Sequence, residues 1–247
     1  MELLDLQNKT SDELHGIAVS MDAIDQDATP RRQELLAKVL DAYAEKEGHI
    51  LATGILAIVN DGYGFLRQND KTSSNADVYV SQTQIRRFGL RTGDEVTGQV
   101  RSPKDGERYF GLIRLESVNG VKPDDARKRP HFENLTPIFP TNRITLETTS
   151  SNVSTRIIDL LSPIGRGQRG LIVSPPKAGK TTLLRHIAHG IAENAPDIRI
   201  MVALIGERPE EVTEMKRFVK GEVYSSTFDE PVEDHSRVAE LVLKRAK

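Results

Sequence analysis

Cysteine is absent from all 247 residues, which excludes disulfides and thiolate metal sites and suits a reducing, cytoplasmic setting. Long apolar runs are absent as well. None approaches the ~18 residues of a membrane span, and the opening residues lack the basic-then-apolar order of a secretory signal, so no membrane association is expected. The chain also lacks excess positive charge. Its 34 Lys and Arg against 36 Asp and Glu leave a formal charge of −2 and a pI near 6.3. Nucleic-acid binding must therefore come from local patches and not from a globally basic surface. No internal repeat or low-complexity tract is visible. What is present, 28% charged and 37% hydrophobic residues, is enough to bury cores, with room for one large or two to three small domains.

The most informative positive feature is the run Leu171-Ile172-Val173-Ser174-Pro175-Pro176-Lys177-Ala178-Gly179-Lys180-Thr181-Thr182. Three strand-like residues enter a tight loop that opens an amphipathic helix through Leu183, Leu184, Ile187, Ala188 and Ile191. Backbone N–H groups and the helix dipole favour anionic oxygens at such a start. Lys180 offers a point charge for the β/γ-phosphates and Thr181 a hydroxyl ligand for Mg²⁺. Ser174 stands where the phosphate-loop pattern has its first Gly, and the two prolines after it are expected to stiffen the loop. The pattern predicts binding of a nucleoside triphosphate.

Four regions follow from the patterning. Residues 1–48 read as a small helical module, with Ser11 capping a helix on Leu14, Ile17, Ala18 and Met21. A second helix, capped by Thr29 with Pro30 at its first position, carries Leu35, Leu36, Val39, Leu40 and Tyr43. A module this small is expected to lean on its neighbour. Residues 49–118 change to short strands and Gly-containing turns, about five strands in all, which predicts an OB-fold/cold-shock-like barrel. Residues 119–150, with four X-Pro steps, read as an extended connector. Its run Arg127-Lys128-Arg129 can touch phosphates, but a solvated linker cluster is the preferred reading. From 151 to 247 helix and strand alternate as in a parallel α/β sheet. The fold class is thus multidomain, α+β and α/β.

Within the barrel region Tyr63 and Phe65 are two apart and point to one side of a strand, while Leu66 takes the core side. Gly62 and Gly64 are read as leaving the sheet surface open for flat bases. Tyr79 and Tyr109 add aromatics on neighbouring strands. Arg67, Lys104 and Arg108 are candidate phosphate contacts, and Asp77 and Glu107 candidate acceptors from a base amino group such as cytosine N4. Stacking rings flanked by cations are suited to unpaired RNA or DNA. The competing reading makes Tyr63 and Phe65 ordinary core aromatics.

Gly165-Arg166-Gly167-Gln168-Arg169-Gly170 precedes the phosphate loop, a weak signal alone. Residues 198–205 read as a buried strand followed by Gly206-Glu207-Arg208-Pro209. In a parallel sheet this places Glu207 at the same edge as the phosphate loop, in reach of a terminal phosphate and an attacking water. Arg208 is a candidate phosphate contact, and Glu210 and Glu211 read as first-turn acids of a helix. Residues 223–228 are expected to form a third strand. His186 and His189 have metal-like spacing but are expected to be solvated surface residues, with no metal assigned.

The runs N-D-G-Y-G-F-L-R, V-Y-V-S-Q-T-Q-I-R-R-F, S-P-I-G-R-G-Q-R-G-L-I-V, P-P-K-A-G-K-T and E-R-P-E-E-V-T-E-M together resemble the bacterial Rho transcription termination factor family, over essentially the whole chain. The resemblance implies a helical module, a primary RNA site on the barrel and a RecA-like ATPase domain. It further implies a homohexameric ring that moves 5′→3′ on nascent C-rich RNA with ATP and Mg²⁺ and acts on the RNA polymerase elongation complex. By motif position it makes Lys180 and Glu207 catalytic and Thr181 the Mg²⁺ ligand. Residues 165–170, Lys177 to Thr182 and Arg208 become nucleotide contacts. Tyr63, Phe65, Arg67, Asp77, Tyr79, Glu107, Arg108 and Tyr109 become RNA contacts, to which the reading of the residues adds Lys104. Tyr63 stands where the family often has Phe, and Gly206 where Asp is frequent. The chain ends at Lys247, before the family's Walker-B strand and arginine finger, so the ATPase domain is expected to be partial and this chain alone to hydrolyse ATP poorly. The alternative reading is a single-stranded RNA-binding module with an incomplete nucleotide site. A rotary-synthase or protein-export ATPase shares the G-Q-R-G and G-K-T elements but has no use for the Tyr63/Phe65 pair.

Overall fold

A computed structural model describes residues 3–7, 9–25, 30, 32, 35–36, 38–39, 42, 50–67, 77–103 and 107–247. The chain forms two compact units, Met1–Pro130 and His131–Lys247.

In the first unit, β1 (Ile50–Ile58), β2 (Gly64–Arg67), β3 (Val78–Val80), β4 (Glu95–Arg101) and β5 (Phe110–Val118) close a barrel in the order β1-β2-β3-β5-β4. All neighbours are antiparallel except β3 and β5, whose parallel pairing joins Val78 to Phe110 and Tyr79 to Gly111. Alternation along the strands sends Leu56, Leu66, Val78, Val80, Val96, Val100 and Phe110 into the core. Two helices, α1 (Leu3–Gln7) and α2 (Ser11–Ser20), add Leu3, Leu6, Leu14 and Ala18 to that same core, as do Leu35 and Val39. The helical segment thus leans on the barrel and has no separate core among the described residues. The cap of α2 is Thr10, not Ser11: its side chain accepts from the Glu13 N–H while Glu13 reaches back to Thr10. The expectations for Thr29, Leu40 and Tyr43 lie outside the described residues.

A helix α3 (Gln82–Phe88) starts at a Ser81/Gln84 capping box and stops at Gly89. The connector is less extended than its prolines suggest. Pro123 occupies the first turn of a short helix, α4 (Pro123–Arg127), where a missing N–H costs nothing, and Ala126 is buried against the barrel core. Nor is its basic run a solvated cluster throughout. Arg129 forms an ion pair with buried Asp94, which also accepts from the Arg91 N–H at 2.7 Å and the Asn119 amide at 3.0 Å. The Arg91 guanidinium in turn donates to the carbonyls of Pro130 and Arg129.

The second unit holds a two-stranded antiparallel pair, β6 (Arg143–Ile144) with β7 (Ile164–Gly165), and a parallel pair, β8 (Met201–Glu207) with β9 (Glu222–Thr227). Its longer helices are α5 (Val153–Leu161), α6 (Lys180–Asn194), α7 (Pro209–Phe218) and α8 (Val232–Ala246). Leu204, Val212, Met215, Val219 and Val223 form its core. The expected strand at 171–173 is not one: the run joins no ladder among the described residues, and Leu171 and Val173 are 88% and 82% exposed. A strand is defined by a neighbour that takes its N–H and C=O groups, and among the described residues of this unit the paired strands are β6 with β7 and β8 with β9. His186 is likewise not a free surface residue. Its Nδ1 lies 2.7 Å from Ser154 Oγ, which ties α6 to α5, while His189 stays exposed. Among the described residues no helix is long and apolar enough to cross a membrane.

Two stability predictions follow from the paired acids. Replacing Asp94 with Ala strands Asn119 and Arg129, and we expect a loss of about 2–4 kcal/mol in urea unfolding. Burial opposes ionisation of Glu222, but hydrogen bonds from Arg245 and Tyr224 outweigh it and hold its carboxyl below the ordinary 4.5. Burial and the same Glu222 push the Tyr224 phenol up to about 12. With the folded value depressed, the stabilisation is complete above 4.5 and is lost as pH falls through the folded value. Protection factors of the β9 amides, which correct exchange for its intrinsic slowing in acid, should therefore fall on acidification in the wild type, and less so in Glu222→Gln.

Candidate nucleic-acid interface and nucleotide site

Cross-strand partners point to the same face of a sheet. The register Ala57–Phe65, Phe65–Tyr79, Tyr79–Gly111 and Gly111–Arg101 therefore draws one row across β1, β2, β3, β5 and β4. That row is on the outside. Phe65 meets Tyr109 with ring centroids 4.9 Å apart, Tyr63 at 5.7 Å and Tyr79 at 6.1 Å, and Tyr63 meets Tyr79 at 5.5 Å. Most of these pairs are edge-to-face, so the rings hold one another in place while Tyr79 stays 38% exposed. The core-aromatic alternative fails on this geometry, since Leu66 and Val78 fill the interior instead.

Gly64 and Gly62 serve the backbone in different ways. A Cβ on Gly64 would come within 2.8 Å of Leu56 Cδ1 and 3.0 Å of the Ala57 carbonyl, so this Gly permits close packing on β1 and does not open the outer face. Gly62 serves the turn, with φ at 84°.

Polar groups rim the rings. Arg67 Nε lies 3.9 Å from Asp77 Oδ2, both largely shielded, and Arg67 Nε has no hydrogen-bond partner among the described residues. Glu107, Arg108 and Tyr109 lead into β5 together, with Glu107 and Arg108 exposed. Lys104 lies outside the described residues. The residue missed by sequence reading is Arg101, whose Nη1 and Nη2 donate to the two Glu107 carboxylate oxygens at 2.6 and 2.9 Å. Arg101 lies on the same side of β4 as Thr97 and Gln99, and the β4–β5 register sets it opposite Gly111, in the row that holds Tyr79 and Phe65.

In the second unit the phosphate loop turns through Lys177 at φ 62° and Gly179 at φ 89° before α6 begins at Lys180. Gly179 is the residue that needs its freedom here, as the left-handed cap of the helix start. Lys180 Nζ lies 3.8 Å from Glu207 Oε1 at the end of β8, and the Thr181 hydroxyl donates to Glu211 Oε2 at 3.5 Å. Glu211 is thus more than a first-turn acid of α7. Ser174 Oγ is shielded from solvent and has no hydrogen-bond partner among the described residues. An unsatisfied hydroxyl, a lysine and a hydroxyl-bearing helix start around one loop suit a phosphate chain with its counter-cation.

The glycine-rich loop is braced from within. The Gln168 side chain accepts from the Gly165 N–H at 2.8 Å, and Arg166 forms a two-bonded pair with Asp197. That pairing holds the Arg166 guanidinium above its usual range and Asp197 below its own. Gly167, Arg169, Gly170, Ala178 and Thr182 are exposed, and Arg208 caps α7 with its side chain outward.

Known proteins match both units. A family model for the Rho termination factor RNA-binding domain covers residues 52–124. A second, for the nucleotide-binding domain of the ATP synthase alpha/beta family, covers residues 154–232. The transcription termination factors Rho of Chromobacterium violaceum and Salmonella typhimurium are each 50% identical to the chain, and that of Escherichia coli 49%. Each of these alignments takes in the whole chain and 60% of the relative's length. The barrel thus matches the Rho termination factor RNA-binding domain and the second unit a nucleotide-binding domain of the ATP synthase type, and over its whole length the chain is similar to the transcription termination factors Rho, of which it spans 60%.

Proposed function

We propose that the protein is an RNA-dependent ATPase that terminates transcription. Single-stranded, C-rich RNA stacks on the barrel rings, and ATP hydrolysis drives 5′→3′ movement of a homohexamer that releases the transcript from RNA polymerase. The observation that carries the RNA reading is the four-ring cluster on the outer barrel face beside Asp77 and Glu107. Rings bind any base by its flat side, and the carboxylates accept from an exocyclic amino group.

At the nucleotide loop Lys180, Thr181 and Ser174 would hold the phosphates, with Thr181 a ligand to Mg²⁺. That ion, when bound, supplies charge neutralisation at the phosphate oxygens. The Lys180–Glu207 pair is partly exposed on both sides and contributes little to stability. A polyphosphate competes for Lys180 and leaves Glu207 to orient water. Glu211, through the Thr181 hydroxyl, fixes the direction of that ligand's lone pairs.

Replacing both Tyr63 and Phe65 with Ala should weaken single-stranded RNA binding by roughly 2–6 kcal/mol while far-UV circular dichroism is unchanged. Undiminished RNA affinity would revive the rotary-synthase or export-ATPase reading. Lys180→Ala should lower affinity for a fluorescent ATP analogue on the order of tenfold to a hundredfold, as expected for a lost charge-assisted phosphate contact. In the protein at its relatives' full length, poly(C) should stimulate ATP turnover and the same substitution abolish it. RNA binding without stimulated turnover would leave only the binding-module reading.

A further inference from the structure

We infer that Arg101 sets the base selectivity of the barrel site as a positioning residue, by holding the Glu107 carboxylate at the rim of the ring cluster. The inference rests on the reading of this face as a single-stranded RNA site and deepens it.

Arg101 ends β4 directly opposite Gly111 of β5, and Gly111 is in turn opposite Tyr79. A Cβ on Gly111 would touch the Arg101 Nε, Cζ and Nη2 atoms at 3.4 Å. The guanidinium therefore lies flat across the one position in the row that has no side chain, on the way to the rings. From there both of its terminal nitrogens reach Glu107, at 2.6 and 2.9 Å. This is the planar fork geometry that only arginine offers a carboxylate. Glu107 stands two residues before Tyr109, whose ring packs on Phe65, so the fork fixes a carboxylate on the segment that carries one of the rings into β5.

The chemistry gives this a direction. The fork keeps the carboxylate ionised and in one orientation, and an ionised carboxylate is an acceptor that attracts an amino group such as cytosine N4. Uracil presents a carbonyl oxygen at the same place, which a carboxylate repels. Side chains of this length lose rotamer freedom when ordered, and a Glu107 released by Arg101 would have to be ordered by the base itself. Arg101 thus supports recognition of the amino group without touching the base.

The test is fluorescence anisotropy with labelled oligo(rC) and oligo(rU) on the 247-residue chain, comparing wild type with Arg101→Met, Arg101→Lys, Glu107→Ala and the double variant Arg101→Met/Glu107→Ala. The wild type should favour oligo(rC). Arg101→Met should lower oligo(rC) affinity roughly tenfold and oligo(rU) affinity less than about twofold, the size of one well-made base contact. Arg101→Lys should fail to restore the preference, because it returns the charge without the fork. The double variant should be no worse than Glu107→Ala alone, since the two act as one unit. A direct phosphate contact predicts something else: an equal fall for both RNAs, rescue by Lys, and a salt slope shallower by about 0.7. That outcome overturns the inference, as does unchanged oligo(rC) affinity in Arg101→Met. Should Arg101→Met lose cooperative unfolding, Arg101→Lys against Glu107→Ala decides the same question. A wild type that binds neither RNA sinks the RNA reading itself and this inference with it, a result distinct from lost selectivity in the variants.

Discussion

The parallel pairing of β3 with β5 is the constraint on which the outer face of the barrel depends. The other neighbours are antiparallel, and two of these pairs can form through local turns. The β3–β5 contact alone joins Tyr79 to Gly111 and so closes the barrel. Closure converts separate strand faces into one continuous row, because opposite residues share a face and a period of two allows no intermediate placement. A one-residue slip at this seam would send Val78 outward and Tyr79 inward. The ring cluster and the hydrophobic core are therefore fixed by the same register, and neither can be altered without the other.

Much of this was legible in the residues. Alternation and turn signals gave the strands, and the spacing of Tyr63 and Phe65 gave their common side. The acidic and basic rim was readable as composition. What escaped depends on partners far apart in sequence. Arg129 finds Asp94 only because α4 folds back on the barrel, and nothing in the run Arg127-Lys128-Arg129 announces a buried acid 35 residues earlier. Arg101 is legible as outward-facing but not as a partner of Glu107 until the β4–β5 register is known. Gly64 was assigned to the wrong face because a missing side chain gives no sign of which neighbour needs the space.

In the second unit local chemistry was read more safely than tertiary pairing. The helix start at Lys180 follows from Gly179 and the residues after it, and such a start needs no distant partner. The strand at 171–173 was inferred from apolar, β-branched content, which describes residues suited to a sheet but does not provide the adjacent strand. Glu207 reaches Lys180 because β8 ends on the same side as the loop, a placement the parallel arrangement predicts. Glu211 reaches Thr181 one helical turn further on, and its acidic neighbours gave it a simpler explanation that concealed this contact.

The charge balance of the chain explains how acids and a polyanion can share one surface. A bare carboxylate next to RNA phosphates is repelled, and burial would favour its protonation. On the barrel face the two acids best placed to read bases, Asp77 and Glu107, each have an arginine beside them, Arg67 and Arg101. Each pair is neutral in sum yet contains an ionised acceptor, so it offers a carboxylate without offering net negative charge. Selectivity for an amino group can then be built into a chain whose formal charge is −2, without the broad basic surface that non-selective phosphate binding requires. In the proposed site the rings would supply the affinity for unpaired RNA, and the discrimination between bases would come from paired charges that cancel at long range and act only at hydrogen-bond distance.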